Sequence, residues 1–289
     1  MKKCLILGAS GLLGEMLTMH FKHSHGTFFS NKSAIKNGRS FLNLSDTESF
    51  SALLDRERPN VVINCTGMTN VDMCELLPEK CWDLNCWNPF LVARECKART
   101  IKYIHISTDH FSNPSGVKLR EADNPVALNQ YGFSKLSAEK LILFINDESI
   151  VVRCNFFHLN MDSPRTYLDG VLNNAKHKKI SYSFSDVFFT PISTFLLAAY
   201  LEKLVEINFS GVINIASSEV ISKFEFHEAV LRETNAPSGY HFPASLNSIK
   251  MHANRPPFMA LDNNLLQNLL GIKVPNIYDM IKSGLQLSK

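Results

Sequence analysis

The chain has 289 residues, 45% hydrophobic and 20% charged, which is material for one large globular domain or a domain with a lobe. Its 30 basic and 27 acidic residues leave a net charge of +3 and argue against a nucleic-acid or membrane-surface partner. Seven cysteines without a CxxC pair, and no run near the ~20 apolar residues of a membrane span, point to a cytoplasmic protein with free thiols.

The predicted elements alternate in type along the first half. Apolar runs of strand length lie at "CLIL" (4–7), "TFFS" (27–30), "NVVINC" (60–65), "IKYIHIS" (101–107) and "SIVVRC" (149–154). Segments with helical spacing separate them, among them the one carrying Leu13, Leu17 and Phe21 and the one reading "FLVARECKA". Strands apolar on both faces and separated by helices indicate a parallel sheet covered on both sides. The expected fold class is α/β: a doubly wound, Rossmann-type sheet over residues 1–155, with a smaller C-terminal substrate lobe. Beyond 155 the alternation decays. "STFLLAAYLEKLVE" (193–206) reads as a helix and "GVINIAS" (211–217) as a buried strand, so residues 190–217 are expected to return to the sheet, leaving 156–189 and 218–289 for the lobe.

"LILGASGLLGEMLTMHF" sets Gly8, Gly11 and Gly14 between the first strand and the first helix, with Ser10, Leu12 and Leu13 completing the turn. Glycines there permit a tight turn, close backbone approach to a pyrophosphate, and close packing of helix on sheet; the helix N-terminus then faces the phosphates. The spacing is GxxGxxG, and it resembles the short-chain dehydrogenase/reductase superfamily in its extended branch. After the second strand an acidic residue would suit the ribose of NAD, but "FFSNKSAIKNGR" offers Asn31 and Lys32 and no carboxylate. NADP(H) is therefore the favoured cofactor, with NAD(H) the alternative.

In open α/β sheets ligands gather beyond the carboxyl ends of the strands. The third apolar run ends in Cys65, Thr66 and Gly67, followed by Thr69; the next ends in Ser107, Thr108 and Asp109. "NQYGFSKLSAEK" then places Tyr131 and Lys135 one helical turn apart on one face. Ketone reduction needs a hydride donor and an acid for the developing alkoxide; a phenol with an ordinary pKa of ~10 becomes a usable acid beside an ammonium. Tyr278 and Lys282 repeat the spacing but follow no strand ending in hydroxyl residues, and are read as structural.

The stretches "GASGLLG", "RPNVVINCTGMTNVDMCE", "WDLNCWNPFLVA", "HISTDHF", "NQYGFSKLSAEK" and "NRPPFMALDNNLL" resemble the dTDP-4-dehydrorhamnose reductases. The resemblance implies reduction of a 4-keto-6-deoxy nucleotide sugar for deoxysugar or surface polysaccharide synthesis. Tyr131 would be the acid, Lys135 its partner and the ribose ligand, and Thr108 the carbonyl-orienting hydroxyl, with Ser107 its competitor. It also implies that Asn85 lies near the cofactor, and that Thr69, Asp109, Asn155 and Arg255 meet substrate. No metal ligand set is indicated, and a homodimer is compatible. Nucleotide-sugar 4,6-dehydratases carry an Asp-Glu pair after the threonine; here Asp109 is followed by His110, which favours simple reduction. "RCNFFHLN", Met68 and "SDVFFTP" depart from the family pattern where the sugar is read, so a different sugar is expected. The alternatives are an epimerase or dehydratase of the same fold, and a non-catalytic regulatory subunit resembling that of methionine adenosyltransferase.

Overall fold

Short aliphatic runs form the strands. Cys4–Leu7 (β1), Ser24–Phe28 (β2), Arg39–Phe41 (β3), Val61–Asn64 (β4), Lys102–Ile106 (β5) and Ile150–Arg153 (β6) pair in parallel. The late strand Gly211–Asn214 completes a seven-stranded sheet in the order Gly211–Asn214, β6, β5, β4, β1, β2, β3. This is the doubly wound order, with its switch between β1 and β4. The computed structural model describes residues 2–28, 39–113, 116–158 and 166–287. The chain divides into one unit of Met1–Thr108, Asn129–Arg153 and Ala198–Ile213, and a second of Asp109–Leu128, Cys154–Leu197 and Asn214–Lys289.

In the first unit every residue of β1, β4 and β6 is buried, as a sheet covered on both faces requires. The helices are Leu12–His20 (α1), Thr47–Glu57 (α2), Val71–Leu76 (α3), Pro78–Trp82 (α4), Asn88–Ala98 (α5) and Gln130–Ile145 (α6). Strand alternation places Leu5, Leu7, Val62, Tyr103 and Val151 on one face, where they pack in one cluster with Phe50, Leu53 and Leu54 of α2, Val92 and Cys96 of α5, and Ala138 and Ile142 of α6. Each large aliphatic side chain buried there contributes about 1.5–3 kcal/mol. Asp46 caps α2 by accepting from the Ser49 amide, and Asn129 caps α6 by accepting from Gly132. A π turn, Asp83–Trp87, joins α4 to α5.

Two expectations shift here. The second strand begins at Ser24, earlier than "TFFS", and β3 is an additional edge strand that the hydrophobic pattern does not announce.

In the second unit short strands pair in twos: Ile192–Ser193 with Phe156–Phe157, Phe188–Phe189 with Ile221–Ser222, and His241–Ala244 with Ser181–Phe184. Helices Tyr167–Lys176 and Lys223–Glu233 both open with a capping box, Thr166 with Asp169 and Ser222 with Glu225. The rings of Phe157, Phe189 and Phe226 meet edge to face at its core. All seven cysteines are free thiols, six of them buried. Among the described residues no helix is long and apolar enough to cross a membrane.

Candidate active site

In open α/β sheets ligands bind at the switch point, here between β1 and β4. Gly8 ends β1 with φ +83°, a conformation that L side chains resist, and a Cβ there would crowd Cys65 and Thr66 beyond β4. A Cβ on Gly14 would stand 2.8 Å from the Gly8 carbonyl carbon and closer still to its oxygen, so α1 reaches the turn only because this position is bare. The Gly11 amide donates to the Gly8 carbonyl and Gly11 begins α1 without any side-chain cap. Ser10 and Gly11 are exposed, Leu12 half-buried and Leu13 buried. An uncapped helix start under a close-packed glycine turn is the cradle a dinucleotide pyrophosphate fits. Asn31 and Lys32, expected beside the ribose, lie outside the described residues.

Beyond β4, Asn64 Oδ1 accepts from both the amide and the hydroxyl of Thr66, at 3.0 and 2.6 Å. The next two residues are latched by Asn85. Its Oδ1 accepts from the Met68 amide at 2.7 Å and its Nδ2 donates to the Met68 carbonyl at 3.0 Å, and a Cβ on Gly67 would lie 2.9 Å from that Oδ1. Asn85, placed near the cofactor by resemblance, thus shapes the Gly67–Met68 backbone from its buried position in the π turn. Its Nδ2 also reaches Cys81 Sγ and Ser134 Oγ, at 3.4 and 3.3 Å. Hydrogen bonding to Cys74 lowers the Cys81 thiol to about 7 and raises that of Cys74. Thr69 is exposed.

At the end of β5 the sheet meets α6. Lys135 is buried; its ammonium donates to the Ile106 carbonyl at 2.7 Å and meets His105 Nε2 at 3.1 Å. Tyr131 lies one turn earlier on the same helix, half-buried. One turn later Glu139 receives the Ser107 hydroxyl at 2.5 Å and both Nε and Nη2 of Arg153, the shortest contact being 2.7 Å. Arg153 and Glu139 are 3% and 2% exposed, so this is a buried, paired charge. The Ser107 proton is therefore committed to Glu139. Thr108, the next residue, is buried at the end of the first unit.

The second unit begins with Asp109. Its carboxylate, 2% exposed, accepts from Asn155 Nδ2 at 2.9 and 3.1 Å. Burial raises it to about 6, against the opposing pull of Lys223 and the Asn155 bond. Burial lowers Lys223 to about 8, against the attraction of Asp109, and its ammonium lies 3.3 Å from the centre of the Phe189 ring. His110 is held neutral at about 3 by burial, then by Arg255 and Lys223. Arg255 is half-buried and donates to the Ala253 carbonyl. Sequence reading missed Lys223, Glu139 and His105; only the last left a signal, an imidazole between Ile104 and Ile106 in a buried strand. Among the described residues no three His, Cys, Asp or Glu side chains are grouped to hold a metal.

The family described as RmlD substrate binding domain matches residues 1–288. The chain belongs to this family. It is similar to a probable low-salt glycan biosynthesis reductase of Haloferax volcanii, 26% identical over 95% of this chain and 94% of that protein. Methionine adenosyltransferase 2 subunit beta of Pongo abelii is 25% identical over 95% of this chain and 84% of its own. The fold is that of a Bacillus anthracis dTDP-4-dehydrorhamnose reductase solved in complex with NADP, with a TM-score of 0.89, 20% identity, and 99% of both chains covered.

Proposed function

We propose that this family member reduces the 4-keto group of a 6-deoxy nucleotide sugar for glycan or surface polysaccharide synthesis, using NADPH in preference to NADH. The observation that carries the reading is the buried Lys135 ammonium fixed at the carboxyl end of β5, on the helix whose first turn carries Tyr131 and in the unit that holds the glycine cradle. The glycine turn and the uncapped start of α1 would hold the pyrophosphate. The nicotinamide, when bound, supplies the hydride. Tyr131 gives its hydroxyl proton to the carbonyl oxygen as the alkoxide develops, and Lys135 stabilises the phenolate left behind. Thr108 orients the carbonyl, since Ser107 already donates to Glu139. Asp109, Asn155 and Arg255 are assigned to the sugar by the family resemblance. Similarity to the archaeal glycan biosynthesis reductase along nearly the whole chain supports the substrate class.

The test is to offer keto-sugar nucleotides and follow the loss of NADPH or NADH absorbance. Tyr131→Phe is expected to lower turnover by about 10²-fold or more. Unchanged turnover in that variant refutes the assigned acid. A second reading draws on the methionine adenosyltransferase subunit: a binding partner without turnover. Stoichiometric complex formation with no activity on any keto-sugar is its signature, and co-purified nicotinamide without net consumption is that of an epimerase.

A further inference from the structure

A polar chain runs through the apolar face of the sheet behind Lys135. Parallel register puts Asn64, Tyr103 and His105 on the same face, with His105 directly opposite Asn64. All three are fully buried. An ammonium can only donate, so the 3.1 Å contact makes His105 Nε2 the acceptor and assigns the imidazole proton to Nδ1. That Nδ1–H points at the Tyr103 hydroxyl, 3.5 Å away. Tyr103 in turn donates to the Pro89 carbonyl at 3.3 Å and accepts from Asn64 Nδ2 at 3.0 Å, and Asn64 Oδ1 accepts from Thr66. Donors and acceptors alternate without conflict from Lys135 to the Thr66 backbone.

We propose that His105 is a positioning residue of the active site: its Nε2 aims the Lys135 ammonium, and through Tyr103 and Asn64 it ties that ammonium to the backbone beyond β4. The role rests on the reductase reading, because only proton transfer at Tyr131 makes the direction of the ammonium matter. A strand residue in this chain needs a polar partner, and an aliphatic side chain would pack as well in a purely structural site. His105 must stay neutral to accept, and it does: burial, and then Lys135, hold its pKa well below 6.5. The other titratable groups around the strut are Tyr103 on the same strand, Cys65 beyond β4, Cys86 on the π turn, Cys96 on α5, whose thiol burial also raises, and Tyr131 on α6. Burial pushes Cys65 to about 12 and Cys86 to about 11, and raises Tyr103 well above its ordinary value. Among His105, Tyr103, Cys65 and Cys86, none is charged between pH 6 and 8, which leaves Lys135 as the charge that His105 meets.

Two variants and one spectrum test this. His105→Leu removes the acceptor and keeps the bulk, whereas the amide oxygen of His105→Gln can still accept. Loss of a hydrogen bond to a charged group predicts that kcat falls about 10-fold or more in His105→Leu, with KM for the sugar little changed, and stays within about 3-fold of wild type in His105→Gln. The alkaline limb of kcat/KM moves to higher pH in His105→Leu alone, because a misaimed ammonium stabilises the Tyr131 phenolate less. Wild-type kcat in His105→Leu, or equal losses in both variants that track their melting temperatures, overturns the proposal. Nitrogen-15 spectra of the ligand-free protein are expected to show a neutral Nδ1–H imidazole that does not titrate from pH 5 to 8, and a midpoint near the ordinary ~6.5 overturns the strut. If the wild-type protein reduces no keto-sugar, the function fails while the spectrum still decides the geometry.

Discussion

Glu139→Gln is the substitution whose cost the structure defines most sharply. It keeps the volume of the side chain and removes one charge from a pair that is almost wholly excluded from water. The Arg153 guanidinium, bound through Nε and Nη2, is left buried without its counter-charge, a situation that costs about 3–5 kcal/mol. Against a total stability of about 5–15 kcal/mol, that is a large share of the folded state's margin. At about 2–4 °C per kcal/mol, the melting temperature is expected to fall by about 6–20 °C. Urea unfolding followed by circular dichroism measures the loss directly. The control is Glu139→Met with Arg153→Met, which replaces the pair by apolar groups of similar length and is expected to return to within about 2 kcal/mol of wild type. A loss below about 1 kcal/mol in the single variant, or a double variant as unstable as the single, refutes the claim that the charges are mutually dependent.

Two further outcomes follow from the geometry. Gly14→Ala drives a methyl into the Gly8 carbonyl and is expected to cost about 1–3 kcal/mol and to weaken NADPH binding measured by calorimetry; Gly170→Ala, in a helix with open space around it, is expected to gain about 0.5–1 kcal/mol. Asp109 has a folded pKa raised from 3.8 to about 6, so the folded state holds the proton more tightly than the unfolded one. Its contribution to stability is therefore fully present below about pH 4 and lost as pH rises to about 6, a change of about 3 kcal/mol, which Asp109→Asn removes from the urea-derived stability-versus-pH curve.

Much of the first unit is legible in the sequence because strands buried on both faces are built from apolar runs, as "CLIL" and the Val61, Val62 and Ile63 of β4 are. The same logic hides β2 and β3. "SHGTF" is half polar, and the three residues of Arg39–Phe41 are too short to show a period. The glycine turn could be read from its spacing together with its place between a strand and a helix, and no other residue type fits where Gly14 packs. Charges buried in pairs could not. Glu139 and Arg153 each look like surface residues in isolation, and only the fold brings them within 2.7 Å. The pairing of Lys223 with Asp109 is hidden for the same reason, since 113 intervening positions separate residues whose charges act on each other. Lys135 was a candidate from its spacing to Tyr131, but its contact with His105, 30 positions earlier, needed the fold.

The π turn at Asp83–Trp87 makes the length of this stretch of chain inflexible. Each π turn accommodates about one residue more than an α turn, and Pro89 just beyond it could not sit inside a continuous α-helix, so deleting Cys86 or Trp87 would change the register between Asn85 and α5. Everything before the deletion would then rotate by about 100° relative to α5, and Asn85 would swing away from Met68. Loops elsewhere in the chain can gain or lose residues at little thermodynamic cost. Here the count itself is under constraint, and insertions or deletions among members of this family are expected to avoid this segment.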